Sequence, residues 1–363
     1  MNIFGKLKDP RRTIKGNIRY TMNEILFLTL SAAISGVTEW DEMEEFGKYK
    51  LRWLRKFFPY KHGIPSHDTL SRFFAQLDPH TFCECFTCWM ESLRQKYDYE
   101  VIALDGKAVK GKDPKAKGME AVYLVSAFAS KNNLVLSQKA TFKKSNEVTA
   151  IPYLLDLIDC KGSIVTADAL NCQTGIADKI VDKKADYLLA VKGNQGDFFE
   201  QIKDRFEKQV PHSTHTMNDL GHGRCEVRRC AVINDLRFID QATKWKNLKS
   251  IVRIQAERTQ KSTQATSIET RYYISSLEAN AELINQSVRS HWSIENQLHW
   301  HLDVTFREDQ SRKRKDHSTE NFSIVLKTVL NLLKKVNDKK PLKRRKLRAL
   351  LDDTQRENFI FGA

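Results

Sequence analysis

Val101-Ile-Ala-Leu-Asp105-Gly-Lys107 is a short apolar run that ends abruptly in a carboxylate and a glycine. Consecutive apolar residues closed by turn formers read as a strand buried on both faces, with Asp105 at its C-terminal edge. The same design recurs in Ser163-Ile-Val-Thr-Ala-Asp168-Ala. A third acid, Glu295, lies inside Arg289-Ser-His-Trp-Ser-Ile-Glu295-Asn-Gln-Leu-His-Trp300, where apolar residues recur at helical spacing.

Outward from the first acid, Ala121–Ser130 and Leu134–Thr141 are β-prone, and Lys131-Asn132-Asn133 between them reads as a hairpin turn. A helix over Asn146–Ile158 follows, then the strand into Asp168, a helix near Gly175–Val181 and the strand Tyr187–Val191. The order βββαβαβ is that of a ribonuclease H-like fold, in which the first acid leaves β1 and the second leaves β4. After a helix to about Phe206, the segments Arg224–Ile233, Ser250–Arg258 and Ser267–Ser275 are again strand-like. Helices are expected over Glu278–Gln286, Val288–Asp303 and Phe322–Val336.

Upstream, Tyr20–Ser35 and Trp40–Phe57 read as helices, and Ser66 caps a third that carries Leu70, Phe73, Phe74 and Leu77. With Arg72 exposed, that short helix is compatible with a helix-turn-helix unit, although plain helical packing gives the same pattern. The expected class is therefore mixed α/β. The division is a helical, possibly DNA-binding domain over 1–98, a ribonuclease H-like core over 99–209, a β-rich insertion over 210–276, core helices with Glu295 over 277–336, and a basic tail over 337–363.

The 363 residues carry a formal charge of +15. Between Ser311 and Arg348 there are 14 Lys or Arg against three acids. Such a concentration points to a polyanion, because neutralising phosphates releases condensed counterions. The longest apolar stretch, near Ile25, is interrupted by hydroxyls and falls short of the ~20 residues of a membrane span. A soluble intracellular protein with no membrane partner is expected. The seven cysteines lack a disulfide framework and read as reduced thiols. Cys83, Cys85 and Cys88 sit among Phe82, Phe86 and Trp89 at helical spacing, so they read as helix residues rather than zinc ligands.

Acids on separate rigid elements suit phosphoryl transfer assisted by hard divalent cations, in which two ions roughly 3.5–4 Å apart serve the attacking and leaving oxygens. Each acid also has an ordinary reading: Asp105 as turn former, Asp168 as helix cap, Glu295 as surface acid. Their common topology favours the metal reading. His291, Glu295 and His299 share one helix face, a spacing that can hold zinc. Three ligands along one straight helix strain a tetrahedral site, however, and magnesium is favoured.

These residues resemble the bacterial DDE transposases of the ISAs1 group, including the H-repeat-associated proteins. The resemblance is carried by Asp9-Pro-Arg11, Ile64-Pro-Ser-His-Asp68-Thr, Ala103-Leu-Asp-Gly-Lys107, Thr166-Ala-Asp-Ala-Leu-Asn-Cys-Gln173, Tyr187-Leu-Leu-Ala-Val-Lys-Gly-Asn-Gln195 and His291-Trp-Ser-Ile-Glu295 through Asp309. It implies DNA cleavage and strand transfer at insertion-sequence ends, with Asp105, Asp168 and Glu295 as catalytic metal ligands. Two Mg2+ ions, replaceable by Mn2+, are implied, with no organic cofactor. Double-stranded DNA is the implied partner, bound by a homodimer in the bacterial cytoplasm, at the nucleoid when on DNA. Lys107, Lys192, Arg289, His291 and Arg312 are the expected DNA contacts. Wider relatives carry a Tyr, Arg, Glu, Lys signature around the glutamate; here Val288, His291 and Leu302 stand at the other three positions, and Arg289 is the expected substitute. The alternatives are a silent remnant that only binds DNA and a host nuclease of the same fold.

Overall fold

Alternation along the first strand decides what each face of the molecule receives. In the computed structural model, which describes residues 6–11, 18–109, 122–141, 147–221, 223–336 and 338–362, β1 runs Val101–Val109. Its even residues Ile102 and Leu104 pack into a core with α5 (Glu147–Leu157), α6 (Thr174–Asp182) and α7 (Asp197–Lys208). Its odd residues face the opposite side, where Val101 packs toward α8 (Ala281–His291) and Ala103 toward α9 (Ser318–Lys335). Asp105 and Lys107 share that odd parity. The expected starts of the second strand at Ala121 and of the α5 helix at Asn146 lie outside the described residues.

β1 does not stop at Asp105, as the sequence reading expected. It continues through Gly106 and Lys107, paired antiparallel with β2 (Val122–Ala129) in the register Asp105↔Ser126 and Gly106↔Val125. Glycine is required here for space rather than for a turn. A Cβ on Gly106 would meet Glu147 Cδ and both its carboxylate oxygens, the farthest only 2.9 Å away. Gly106→Ala is therefore expected to displace Glu147 and to destabilise the protein by ~1–3 kcal/mol, read from urea unfolding.

The strands form one sheet in the order β3-β2-β1-β4-β5-β9-β8-β7-β6. β3 is Leu134–Thr141, β4 Ile164–Ala167, β5 Asp186–Val191, β6 Ser213–Gly221, β7 Arg224–Ile233, β8 Ser250–Gln260 and β9 Thr266–Ser275. β1, β4 and β5 run parallel, and β2 and β3 are antiparallel additions. The first five strands thus take the ribonuclease H-like arrangement, and the mixed α/β class is borne out. The later strands are not a separate layer: β9 pairs antiparallel with β5, through Leu188↔Ser275 to Val191↔Tyr272, and so extends the same sheet. β6 was not anticipated, because Ser-Thr-His-Thr-Met-Asn-Asp-Leu-Gly is mostly polar on both faces, as an edge strand permits.

The four N-terminal helices, α1 (Met22–Ile34), α2 (Trp40–Leu54), α3 (His67–Gln76) and α4 (Pro79–Leu93), share one core with α9 and with Ala103, Phe128 and Val135 of the sheet. Their caps match the sequence: Thr21 with Glu24 makes a capping box, Ser66 accepts from Thr69 N–H, and Asp78 accepts from Thr81 N–H. No described helix is long and apolar enough to cross a membrane.

The expected basic tail is instead two helices, α10 (Leu342–Leu351) and α11 (Asp353–Phe361). Both pack on α1 and α9. Arg356 is fully buried, with its guanidinium 4.0 Å from the Trp53 ring centroid and donating to Ala349 O at 2.7 Å. A guanidinium stacked on an indole and paired with a carboxylate, here Asp353, can be buried, and charge counts along the sequence do not reveal this. Lys313, Lys327 and Arg345 are buried as well, so the Ser311–Arg348 charge is partly internal. Arg356→Ala is expected to cost about 2–3 kcal/mol in thermal or urea unfolding, from lost packing and hydrogen bonds.

Candidate active site

The parallel ladder between β1 and β4 ends at Leu104↔Ala167. Past that point β4 turns into a short 3-10 segment, Ala169–Asn171, while β1 runs on with β2. The divergence opens a notch with Asp105 on one side and Asp168 on the other. Asp168 accepts from Asn171 N–H at 3.2 Å and from Asn171 Nδ2 at 2.7 Å, both at Oδ1. It is therefore the cap that one reading expected and also a wall of the notch. Asp105 Oδ1 accepts from its neighbour's Gly106 N–H at 2.9 Å.

Glu295 arrives from the opposite layer. The helix that begins as α8 carries two wide turns of π-helix, Glu295–His299 and His301–Thr305, in which Trp300 N–H donates to Glu295 O. Such turns insert extra backbone into a helix and are frequent at functional sites. Here they start at the acid. Glu295 is exposed, whereas His299 on the same turn is largely covered and places Nδ1 3.6 Å from Asp105 Oδ2.

Asp168 and Glu295 both lie within electrostatic reach of Asp105. Burial first, and then the charges of Asp168, Glu295 and Glu147, push the Asp105 carboxyl up to about 7. Glu147, buried at the start of α5 against Gly106, is a fourth acid that sequence reading missed. Helix-start glutamates are common, so nothing in its sequence surroundings marks it. His299 is pushed down to about 3 and His291 to about 4, by burial and by nearby cations, so both are neutral at pH 7. They do not offset the carboxylates.

Carboxylates whose neighbouring histidines are neutral suit a hard divalent ion, which takes carboxylate oxygen. Among the described residues no three His, Cys, Asp or Glu side chains close into a compact metal cluster. The acids surround the notch rather than gripping one point within it. The same result leaves the zinc arrangement of His291, Glu295 and His299 without support. His291 instead shares a 2.8 Å hydrogen bond between Nδ1 and the Thr166 hydroxyl.

The expected DNA-contacting cations are distributed unevenly. Lys107 is covered, with its ammonium 2.9 Å from Glu308 Oε2, 3.9 Å from Asp309 Oδ1 and in contact with Asp303. That engagement is at odds with a phosphate contact and makes Lys107 a brace. Arg289 turns away from the notch to pair with Asp219 at 2.7 Å. Arg312 lines a different cavity of about 1140 Å3, between the N-terminal helices and the segment after Trp300. Lys192, exposed after β5, borders a cavity of about 100 Å3 beside Asp168, together with His291.

Residues 96–332 match the family described as Transposase DDE domain, and residues 1–90 match one described as DDE_Tnp_1-associated. The chain is 40% identical over 353 residues to a putative transposase, YncI, of Escherichia coli O157:H7, covering 95% of this chain and 90% of that one. It is 38% identical over 369 residues to the H repeat-associated putative transposase YhhI of Escherichia coli K12, covering 98% and 96%. A piggyBac transposase synaptic complex with hairpin DNA matches at 11% identity and TM-score 0.45, over 99% of this chain and 76% of that one. At that distance the likeness carries no positional detail.

Proposed function

Because the chain belongs to the transposase DDE domain family, we propose that it cleaves DNA at the ends of an insertion element and joins the freed ends to a new site. The H-repeat-associated type read from the sequence is borne out by relatives of that name. One observation supports the chemistry above all: Asp168 and Glu295, far from Asp105 in sequence, lie within electrostatic reach of it, and their charges add to burial in raising its carboxyl to about 7.

In this reading Asp105, Asp168 and Glu295 hold divalent cations, with Mg2+ as the physiological ion and Mn2+ as a substitute. Bound there, the ions would activate the attacking oxygen and stabilise the leaving one. The chain's own residues do the positioning. Asp105 is fixed by β1 and by its hydrogen bond from Gly106 N–H. Asp168 is fixed by Asn171. His299 beside Asp105 is neutral and leaves the notch's negative charge intact. Of the cations that the sequence nominated, Lys192 is the one placed to hold a phosphate, since it borders the cavity beside Asp168. Duplex DNA is the proposed partner, and pairing two ends calls for a homodimer on DNA.

The test uses purified full-length protein, duplexes carrying the element's terminal repeats, and Mg2+. Nicking at the repeat boundary, lost on chelation, is the expected result. Repeats that are bound but left uncut would leave a DNA-binding remnant, and cutting without preference for the repeats would indicate a host nuclease.

A further inference from the structure

The small cavity beside Asp168 has a cationic wall that the sequence did not announce. Arg271, mid-way along β9, lines it together with Asp168, Lys192, Tyr273, His291 and Trp292. Its guanidinium lies 4.3 Å from the Trp292 ring centroid, and its Nε donates to Glu269 Oε1 at 2.7 Å. The side chain is held by the Trp292 stack, by the ion pair with Glu269 and by a hydrogen bond with Tyr273, yet keeps 26% of its surface exposed. A guanidinium stacked on an indole has a fixed plane, and its outer N–H groups form a fork that matches two oxygens of a phosphate.

Arg271 and Asp168 border the same cavity, yet Arg271 is ion-paired with Glu269 and not with Asp168, and among the described residues Lys192 forms no ion pair. Opposite charges that face one space without closing on each other leave room for a group between them. The cavity of about 100 Å3 has room for about three waters at ~30 Å3 each, the scale of a phosphate rather than of a base. The other nearby arginine and lysine are committed, Arg289 to Asp219 and Lys107 to Glu308 and Asp303. On the α8 side the cavity is lined by His291, which is uncharged at pH 7, and β9 brings a guanidinium to it.

We infer that Arg271, on its Trp292 platform, is a substrate-binding residue that holds the non-bridging oxygens of one DNA phosphate beside the scissile bond. The inference rests on the proposed function and gives the β9 extension a direct part in the site. Arg271 reads the backbone, so the contact is insensitive to base sequence.

The experiment walks a single neutral methylphosphonate linkage along the phosphates that flank the cleavage site. Each duplex is offered to the full-length protein and to Arg271→Ala, with single-turnover cleavage in Mg2+ and the DNA dissociation constant both measured. At one position the neutral linkage is expected to slow the unsubstituted protein by ~10- to 100-fold, and Arg271→Ala to show the same loss on unmodified DNA with no further loss at that position. Arg271→Gln, close in length and uncharged, carries the same expectation should the alanine variant not fold. Equal sensitivity of protein and variant at every position, or no loss on substitution, overturns the assignment. If the unsubstituted protein binds but does not cut, the transposase reading falls. The walk read through dissociation constants then still decides Arg271, since loss of sensitivity at one position only is not produced by a general packing defect.

Discussion

Asp105→Asn is expected to reduce DNA cleavage by on the order of 10^3-fold or more while leaving DNA affinity nearly unchanged. The same substitution is expected to stabilise the metal-free protein at pH 8. The folded-state carboxyl is raised from 3.8 to about 7, so between those values the folded protein holds a proton that the unfolded chain releases. Stability therefore falls as pH rises through that window, and the full penalty stands above it. At ~1.4 kcal/mol per pH unit the penalty is up to about 4 kcal/mol, and asparagine removes it. Added Mg2+ should raise the melting temperature of the unsubstituted protein at pH 8 and do so much less for the variant. Unchanged melting at pH 8 on substitution would mean that Asp105 is not held, by burial and by the neighbouring acids, in the way described.

Glu308→Ala carries the largest expected loss of stability. Glu308 is buried, accepts from Ser323 Oγ at 2.7 Å and from Lys107 Nζ at 2.9 Å, and against its burial is held below the usual carboxylate range chiefly by the charges of Lys107 and Lys327. Lys327, buried beside it and donating to Gln138 Oε1 at 2.6 Å, is itself pushed down to about 8 by burial. Removing the carboxylate leaves two covered ammonium groups without their main counter-charge, a loss of ~3–5 kcal/mol in urea unfolding. Because Lys107 lies on β1 two residues beyond Asp105, cleavage is expected to fall as well. Glu308→Gln, which keeps the hydrogen bonds, should lie between. A variant as stable as the parent would show that Lys107 and Lys327 find other partners.

The acids were legible because a buried strand ending in a carboxylate breaks the apolar pattern visibly, twice, at Asp105 and Asp168. The first five strands followed from the same pattern. The continuation of β1 was not legible, since Asp-Gly reads as a turn until Glu147 is seen to need the space over Gly106. The π turns at Glu295 leave no mark either, because shifting a hydrogen bond by one residue changes no composition. α10 and α11 were hidden by their charge, for burial of Arg345 and Arg356 depends on the carboxylates of Asp338 and Asp353, on backbone carbonyls and, for Arg356, on the Trp53 ring. Arg271 sits in the alternating Glu269-Thr-Arg271-Tyr of an ordinary strand. Only its stack on Trp292 distinguishes it from any surface arginine.

The pairing of β9 with β5 also bears on how such a gene decays. β5 is a largely apolar parallel strand whose second edge is covered only when residues 266–275 are present. A frameshift or stop codon ahead of Thr266 would leave that edge bare, a ready template for another unfinished copy. Loss of the last quarter of the reading frame should therefore yield insoluble aggregates cleared by proteolysis, and not a stable fragment that competes for DNA.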